Sequence, residues 1–424
     1  MDDISAVLEY TEPDIVSGTE SWLRGVKPGC NPTKDAIKSS EIFPSHYKVY
    51  RNDRSSLGGG VFILILEDIV SIEQPEFVTS CDITWVKIQL KGCKELSIGC
   101  YYMPHRNRDL LKKLDTSLEL LTEKKDRQKI LCGDLNCPDI DWTILSVTSP
   151  IDKLVHQDLI DLSTKFDLTQ MQELPTRQGN ILDLVFTTNP SLIKSITVIP
   201  GISDHDIVVM DSDTKPHYNR QKPRKSFLFG KANWDALRDK CKGIYVTVKS
   251  MYQDGKNIND LWSYFKSALQ HEIETHIPSR VSKRRKSPPW INHTLRKMTR
   301  RKTRLHRQAK KTGKWENYRH FQRECKKAFR RAEWSYMNKT IQEGLANNNS
   351  KPFWSYVKSK QQDNVGVSPL KRKGQLFSDS KSKADILIDQ FSSVFTRDTC
   401  TTIPPVNGPS ETILSDITIN EDGC

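Results

Sequence analysis

Five short segments combine chemically reactive side chains with a neighbouring run of apolar residues. They are GTESW at 18–22, YYMP at 101–104, GDLN at 133–136, LDLVF at 182–186 and SDHD at 203–206. The LDLVF segment puts one carboxylate inside an apolar strand, and the other four place polar groups at a strand end. A carboxylate in apolar surroundings is costly to bury unless it is paired or bound to a metal.

Together these side chains contain the parts needed to hydrolyse a phosphodiester with a hard cation. Glu20 offers an oxygen ligand for Mg²⁺, which binds few carboxylates and keeps several waters. Asp134 could orient or deprotonate the attacking water, and the Asn136 amide could hold the phosphate. His205 could neutralise charge that develops on phosphorus, with Asp183 fixing its tautomer. Each segment alone is weak evidence, because an Asp after a Gly is usually a turn residue.

These segments belong to a first half that alternates short strands with loops and a few helices. Leucines at helical spacing predict helices at 108–124 and 154–166. Many short strands with intervening helices predict an α/β fold in which two sheets pack face to face with helices outside. Runs rich in Val, Ile and Tyr predict strands at 14–17, 47–51, 60–66, 83–90, 96–102, 129–132, 181–186, 195–199 and 207–210.

Formal charge is divided unevenly along the 424 residues. The net charge is +13, but residues 1–213 carry −11 and residues 214–424 carry +24. Between 280 and 339 there are 22 Lys and Arg residues and only 3 Glu residues. This division favours an acidic domain joined to a strongly basic one whose partner is an acidic polymer.

The basic half is predicted to consist of helices joined by segments that contain proline. Apolar and aromatic residues at helical spacing predict helices at 234–276 and 290–344, the second interrupted near Gly313. Prolines after Asn347 predict loops. The expected organisation is a domain at 1–211, a linker at 212–233, a basic, mostly α-helical region at 234–360 and a loop-rich tail at 361–424.

Aromatic rings lie among the basic residues, so two interpretations stand for this region. Lys and Arg could bind phosphates while the rings stack on bases. The spacing of Tyr318, Phe321, Cys325 and Phe329 is instead typical of a packed helix face, and we favour packing for the rings. The KRRK run at 283–286 also resembles a nuclear address and predicts nuclear localisation. The expected nucleic-acid contacts are Lys283, Arg284, Arg285, Lys286, Arg300, Arg301 and Arg304.

Composition argues against several classes of protein. No apolar run is long enough to span a membrane. The acidic MDD at 1–3 lacks the apolar core of a signal peptide, which argues against secretion. The 10 cysteines are scattered without a CxxC pair, so we expect free thiols rather than a zinc site or disulfides.

Taken in order, the motifs TESWL, YYMP, GDLN, LDLVF and SDH resemble the endonuclease/exonuclease/phosphatase superfamily, which has a DNase I-like fold. The branch they resemble most is the apurinic-endonuclease-like domain of non-LTR (LINE-type) retrotransposons, which LGGGV at 57–61 and GDLNCPDIDW at 133–142 also resemble. The resemblance covers about residues 1–211. In such elements a basic helical connector leads into a reverse transcriptase, and KPFWSYV at 351–357 looks like that connector.

The resemblance implies a Mg²⁺-dependent endonuclease, with Mn²⁺ as an alternative cofactor, that nicks one strand of target DNA and leaves a 3′-hydroxyl. DNA is the implied partner, and the element's RNA is a further candidate for the connector. Tyr101 could exchange roles with Tyr102, although strand alternation favours Tyr102. The implied roles are Glu20 and Asp204 at the metal, Tyr102 and Asn136 at the phosphate, Asp134 as base, His205 as phosphate stabiliser with Asp183 as its partner, and Ser203 as a supporting residue.

Two departures from the family pattern keep alternatives open. Family members begin with a strand that ends in an Asn near the metal, whereas only 19 residues, none of them Asn, precede Glu20. No polymerase motif with paired aspartates follows the connector. We therefore expect a fragment of a longer endonuclease–reverse transcriptase or a relic reading frame. A catalytically inactive nucleic-acid-binding remnant and a phosphatase of the same superfamily are the alternatives.

The charge division adds one expectation. In this interpretation the basic half supplies most of the affinity for DNA and the acidic half cleaves it. Removing the basic half from residues 1–213 should then weaken DNA binding far more than it alters the folded site.

Overall fold

The computed structural model describes residues 2–54, 58–92, 95–123, 128–218, 224–282, 288–361, 370–372, 375–377 and 380–395. The chain divides into two compact units, Met1–Gly366 and Val367–Cys424. The larger unit contains every residue predicted for the hydrolytic site. The described part of the smaller unit consists of β16 (Leu370–Arg372), β17 (Gln375–Phe377) and α11 (Ser380–Val394).

The first 212 residues form two main sheets with helices beside them. Their order is β1-β3-β2 in one sheet and β10-β11-β7-β6-β5-β4 in the other, and β8-β9 and β12-β13 form separate pairs. The helices are α1 (Asp2–Thr11), α2 (Ser39–Ile42), α3 (Arg108–Thr122) and α4 (Lys153–Lys165). The strands are β1 (Ile15–Thr19), β2 (Tyr47–Asn52), β3 (Val61–Leu66), β4 (Ser71–Glu73), β5 (Asp82–Ile88), β6 (Leu96–Tyr102), β7 (Gln128–Asp134), β8 (Ile140–Asp141), β9 (Ser146–Val147), β10 (Thr169–Gln170), β11 (Asp183–Thr187), β12 (Ile193–Ile199) and β13 (Ile207–Ser212).

The two main sheets pack face to face around β3. Successive side chains of a strand point to opposite faces, so Val61, Ile63 and Ile65 pack against β5, β6 and β7. Phe62 and Leu64 point the other way, into a cluster that includes residues of α1 and α2. The far face of the six-stranded sheet is covered by the apolar faces of α3 and α4. The predicted two-sheet α/β sandwich is therefore confirmed.

The basic half is mostly helical, as predicted. α7 ends at Gly313, whose left-handed φ of 70° closes the helix where the sequence predicted an interruption. The helices are α5 (Trp234–Gln253), α6 (Ile258–His276), α7 (His293–Thr312), α8 (Glu316–Ser335), a π-helix (Tyr336–Gln342), α9 (Glu343–Ala346) and α10 (Lys351–Gln361). One strand pair, β14 (Arg224–Phe227) with β15 (Ser279–Ser282), brackets α5 and α6.

Helices α7 and α8 pack on α1 of the acidic half. Ala6 of α1, Leu295 of α7 and Phe329 of α8 belong to one apolar cluster. The four-residue stripe that begins at Tyr318 is buried throughout. The packing interpretation of these rings is therefore confirmed.

Two segments differ from their predicted structure. The predicted linker is anchored at its start, where Pro216 and Tyr218 form β-bridges to residues just outside β5 and β4. Prolines predict loops beyond Asn347, although the helical region is predicted to reach residue 360; the structure has α10 in that stretch and α11 within the predicted loop-rich tail. Pro352 is the second residue of α10, and a proline in the first turn lacks only an amide that has no helical partner.

Candidate active site

Three neighbouring strands place Tyr102, Asp134 and Asp183 in a row. β6 and β7 run parallel and end together, so Tyr102 lies opposite Asp134. β11 runs antiparallel to β7, and its first residue, Asp183, also lies opposite Asp134. Residues that pair directly across strands project to the same face. The ends of these three strands therefore present a phenol and two carboxylates side by side on one face of the sheet.

Gly133 and Asn136 shape the turn around Asp134. A Cβ at residue 133 would lie 1.8 Å from the carbonyl oxygen of Tyr101, so only glycine permits this approach of β7 to β6. The Asn136 amide N–H donates to Asp134 Oδ1 at 3.1 Å. Its side-chain Nδ2 donates to the carbonyl of Met103 at 2.9 Å. The turn thus holds Asn136 beside Asp134.

His205 reaches this row from the loop before β13. Its Nδ1 lies 2.8 Å from Asp183 Oδ2, and its Nε2 lies 4.0 Å from Asp134 Oδ2. The hydrogen bond with Asp183 raises the pKa of His205, and burial opposes the shift. A Cβ at Gly201 would lie 1.7 Å from the carbonyl oxygen of His205, so the loop closes on itself tightly. The predicted pairing of His205 with Asp183 is present in the structure.

Glu20 comes from the other sheet, directly after β1. The Tyr102 hydroxyl donates to Glu20 Oε1. Burial and the negative charge of Glu20 raise the pKa of Tyr102. Tyr101 is fully buried on the opposite face, so of the two neighbouring tyrosines it is Tyr102 that faces the site. Glu20 has a left-handed φ of 51°, and the amide of the next residue donates to the carbonyl of Gly60 at 3.2 Å.

The carboxylates repel one another and create a place for a cation. Burial, followed by the charges of Asp183 and Glu20, raises the pKa of Asp134 to about 7. Asp134, Asp183 and His205 each offer an atom, and these atoms all lie within 4.8 Å of one another. The donor set is mainly carboxylate oxygen, which Mg²⁺ prefers. These residues fit a divalent cation, whose charge would offset the repulsion.

Asp204 and Ser203 lie outside this cluster. The Asp204 carboxylate is 64% exposed and pairs with Arg177 at 2.7 Å instead of joining the other acids. Ser203 Oγ accepts a hydrogen bond from the His205 amide at 3.5 Å, which is a long contact. A metal-side role for Asp204 and a supporting role for Ser203 stay predictions.

Three arginines near the site have no signal in the motifs. Arg54 pairs with Asp82 and lies over the Tyr102 ring, 5.8 Å from the ring centroid. Arg106 Nε donates to the carbonyl of Asn136 at 3.0 Å, and Arg177 pairs with Asp204. These arginines lie in loops, two to four residues from the nearest predicted strand or helix, where residue spacing carries no information. Each of these guanidinium groups is paired with a carboxylate, so together they offset negative charge around the site.

The predicted nucleic-acid contacts fall on α7 and on a segment before it. Arg300, Arg301 and Arg304 are exposed along α7, and the Arg301 guanidinium lies 4.6 Å from the centroid of the Phe321 ring. The other predicted contacts, Lys283, Arg284, Arg285 and Lys286, lie outside the described residues.

A second contact of α7 was not predicted. His306 Nε2 and Lys310 Nζ each lie 3.1 Å from a carboxylate oxygen of Asp206, the residue after His205. The basic helix therefore touches the loop that carries the site histidine.

Residues 96–209 match the family model described as endonuclease-reverse transcriptase. This confirms the family resemblance predicted from the motifs. The matched stretch includes Asp134, Asp183 and His205, together with the strands that position them. The fold and the cluster are consistent with phosphodiester hydrolysis.

Solved structures with similar folds cover about half of the chain. One is the endonuclease domain of TRAS1, a telomere-specific non-LTR retrotransposon, with 17% identity, coverage of 50% of this chain and 92% of that chain, and a TM-score of 0.37. Another is the 3′ phosphatase NExo from Neisseria bound to a product DNA hairpin, with 15% identity, coverage of 50% and 93%, and a TM-score of 0.32. A third is the mannosyl-6-phosphatase Bt3783 from Bacteroides thetaiotaomicron VPI-5482, with 14% identity, coverage of 50% and 89%, and a TM-score of 0.30.

No curated protein matches this chain. Among the helices of the described residues, none has both the length and the apolar composition needed to cross a membrane. The seven cysteines that the structure describes in detail are free thiols.

Proposed function

We propose that residues 1–211 are a divalent-metal-dependent endonuclease that nicks one strand of target DNA and leaves a 3′-hydroxyl. We further propose that the chain derives from the endonuclease–reverse transcriptase of a non-LTR retrotransposon of the LINE type. The observation that carries this proposal is the convergence of Asp134, Asp183 and His205 at strand ends, with Glu20 and Tyr102 beside them. Together they supply a base, a cationic donor and carboxylate ligands for a metal.

The proposed reaction is attack of water on phosphorus with cleavage of the bond to the 3′ oxygen. Asp134 accepts a proton from the water, because its carboxylate faces the cluster and its pKa is raised to about 7. His205 donates through Nδ1 to Asp183 and through Nε2 to a phosphate oxygen, which its raised pKa favours. The departing 3′ oxygen takes a proton from solvent water and becomes the 3′-hydroxyl, and the phosphate stays on the 5′ oxygen of the next nucleotide.

Glu20 is the residue we propose as the principal metal ligand. Asp204 is proposed as an additional carboxylate, which would have to leave its partner Arg177 to reach the metal. A bound Mg²⁺, or Mn²⁺ as the alternative, would neutralise charge on the phosphate during the reaction. Tyr102 keeps the Glu20 carboxylate oriented through its hydroxyl hydrogen bond. Asn136, held beside Asp134 by its turn, is proposed to contact the phosphate.

DNA is the proposed partner, and the exposed arginines of α7 are proposed to contact its backbone. The element's RNA is a second polyanion that the same surface fits. A nuclease that nicks chromosomal DNA must act in the nucleus, and we propose nuclear localisation with the KRRK run at 283–286 as its address.

The test is nicking of supercoiled plasmid by the purified chain with Mg²⁺. We expect relaxed circles whose nicks a DNA polymerase extends without prior treatment, because they carry a 3′-hydroxyl. His205→Ala and Asp134→Asn should each lower the rate about 10²–10⁴-fold. The controls His271→Ala and Asp211→Asn remove the same groups from exposed sites outside the cluster. Equal nicking by all four variants would refute the proposal.

A further inference from the structure

Asp206 is held from one helix by two side chains. His306 and Lys310 are one turn apart on α7, and each approaches a different carboxylate oxygen of Asp206 at 3.1 Å. Lys310 Nζ also donates to the carbonyl of Pro175 at 3.3 Å. The end of α7 thus fastens two loops of the acidic half, one before β11 and one before β13.

Burial distinguishes this contact from an ordinary surface ion pair. The His306 side chain is only 2% exposed and that of Asp206 is 19% exposed. The imidazole packs edge-on against Trp315 and Tyr318, with ring centroids 5.5 Å and 5.1 Å away. A buried, ring-packed donor has few alternative positions, whereas an exposed pair is readily exchanged for water.

The fastened loops carry the site residues. The Asp206 amide donates to the carbonyl of Thr176 at 2.8 Å, and Thr176 Oγ1 accepts from the Asp183 amide at 3.5 Å. His205 therefore lies between Gly201, where the loop closes on itself, and Asp206, which α7 holds in place. Its partner Asp183 is linked to the same loop through Thr176. A shift of either loop would move the imidazole relative to Asp134 and Asp183.

We infer that His306 and Lys310 are positioning residues, which hold the His205 loop through Asp206 so that α7 of the basic half completes the active site. This inference rests on the proposed nuclease function. It makes α7 necessary for turnover as well as for DNA affinity. Separating residues 1–213 would then alter the site itself, contrary to the expectation from charge alone.

The first test compares steady-state nicking by full-length variants. His306→Leu with Lys310→Met removes both donors at similar volume, and misplacement of this kind lowers kcat roughly 10–100-fold while KM for plasmid changes less than about 3-fold. His306→Gln keeps a donor at a similar reach and should retain most of kcat. Lys311→Met removes the same charge from the same turn without touching Asp206 and should keep the wild-type kcat.

The second test does not need activity. Hydrogen exchange of peptides that cover residues 201–207 should accelerate at least about 10-fold in the double variant and stay unchanged in Lys311→Met. If the wild-type chain fails to nick DNA, the proposed function falls and this exchange alone decides the positioning role. Unchanged exchange, or a rise in KM at unchanged kcat, would overturn the inference.

Discussion

The acidic and basic halves of the chain build their structures differently. In residues 1–211 the apolar side chains on both faces of β3 are buried. One set lies between the two sheets, and the other lies beneath helices. In residues 234–361 the helix pair α7–α8 shares its apolar cluster with α1, whereas α5 and α6 leave Tyr252 and Trp262 largely exposed. The acidic half has a core of its own, and the best-packed part of the basic half depends on the acidic half.

This difference shows that a division of charge is not a division of structure. The basic helix α7 is joined to the acidic half by the pair Arg296–Glu9, with Nε and Oε1 2.7 Å apart, as well as by Asp206. Opposite charges across the contact favour docking, and the apolar cluster around Phe329 supplies the buried area. The arginines proposed to contact nucleic acid, Arg300, Arg301 and Arg304, lie on the exposed side of α7.

The largest expected effect concerns the docking of α8. Phe329→Ala should lower the free energy of unfolding by about 3–5 kcal/mol, because it opens a cavity in the cluster shared with α1. Trp334→Ala on the same helix removes a ring that is 64% exposed. It should change the free energy of unfolding by less than about 0.5 kcal/mol. Urea unfolding followed by circular dichroism measures both. Equal losses would mean that α8 is not docked as described.

Asp134 should make the acidic half less stable as pH rises. Its pKa is about 7 in the folded protein against 3.8 ordinarily, so the folded state binds more protons and loses stability from about pH 4 to about pH 7. Without divalent cations, Asp134→Asn should therefore be more stable than wild type by about 1–4 kcal/mol at pH 8 and equal at pH 4. Thermal or urea unfolding at both pH values tests this.

Two controls sharpen the pH prediction. The exposed Asp211, changed to Asn, should show no such pH-dependent difference. Added Mg²⁺ should narrow the gap at pH 8, because the cation would offset the charge of the Asp134 carboxylate, which only the wild-type chain carries. A gap that is the same at pH 4 and pH 8 would contradict the assignment to Asp134.

The exposed face of α7 should contribute affinity without contributing chemistry. The triple change Arg300→Gln, Arg301→Gln and Arg304→Gln should weaken DNA binding about 10–100-fold near 0.15 M salt and reduce the salt slope by about 2–3. The kcat for nicking should be unchanged. Fluorescence anisotropy over a range of salt concentrations measures the slope.

A matched triple change on the other helix pair controls for charge alone. Lys240→Gln, Lys249→Gln and Lys266→Gln remove the same charge from exposed positions of α5 and α6. If this variant binds DNA as weakly as the arginine variant, overall charge decides the affinity and α7 has no special role.

The smallest effect separates the two neighbouring tyrosines. Tyr102→Phe removes the hydroxyl that orients Glu20 and should slow nicking about 10-fold. The Tyr101 hydroxyl is buried with no hydrogen-bond partner among the described residues, so Tyr101→Phe should leave the rate unchanged. Initial rates on supercoiled plasmid compare them, and a slower Tyr101→Phe would reverse the assignment.

Local sequence sufficed for nine of the 13 strands described in residues 1–212 and for four groups of the candidate site, but not for the short strands β4, β8, β9 and β10. Glu20, Asp134, Asp183 and His205 each stand at or beside an apolar run, and strand ends converge at the edges of sheets. The choice of Tyr102 over Tyr101 followed from strand alternation, because neighbours on a strand face opposite sides.

Long-range partners left no such signal. Asp206 and His306 are 100 residues apart, and nothing in the spacing of either residue indicates the other. The same holds for Arg54, whose contact with Tyr102 depends on how two sheets meet. The helix that begins at Lys351 shows how a local signal can mislead, because Pro352 predicts a break in the chain but stands in the first turn of the helix.

The bridge from Asp206 to α7 also defines which pieces of the chain can be exchanged between related proteins. A chimera joined within residues 212–233 would pair the acidic half of one protein with the α7 of another. Asp206 would then face whatever residues the second protein carries at 306 and 310, since its two carboxylate oxygens contact those two side chains. Functional recombinants should therefore keep the 203–206 loop and α7 from the same parent, although the sequence places them in different domains.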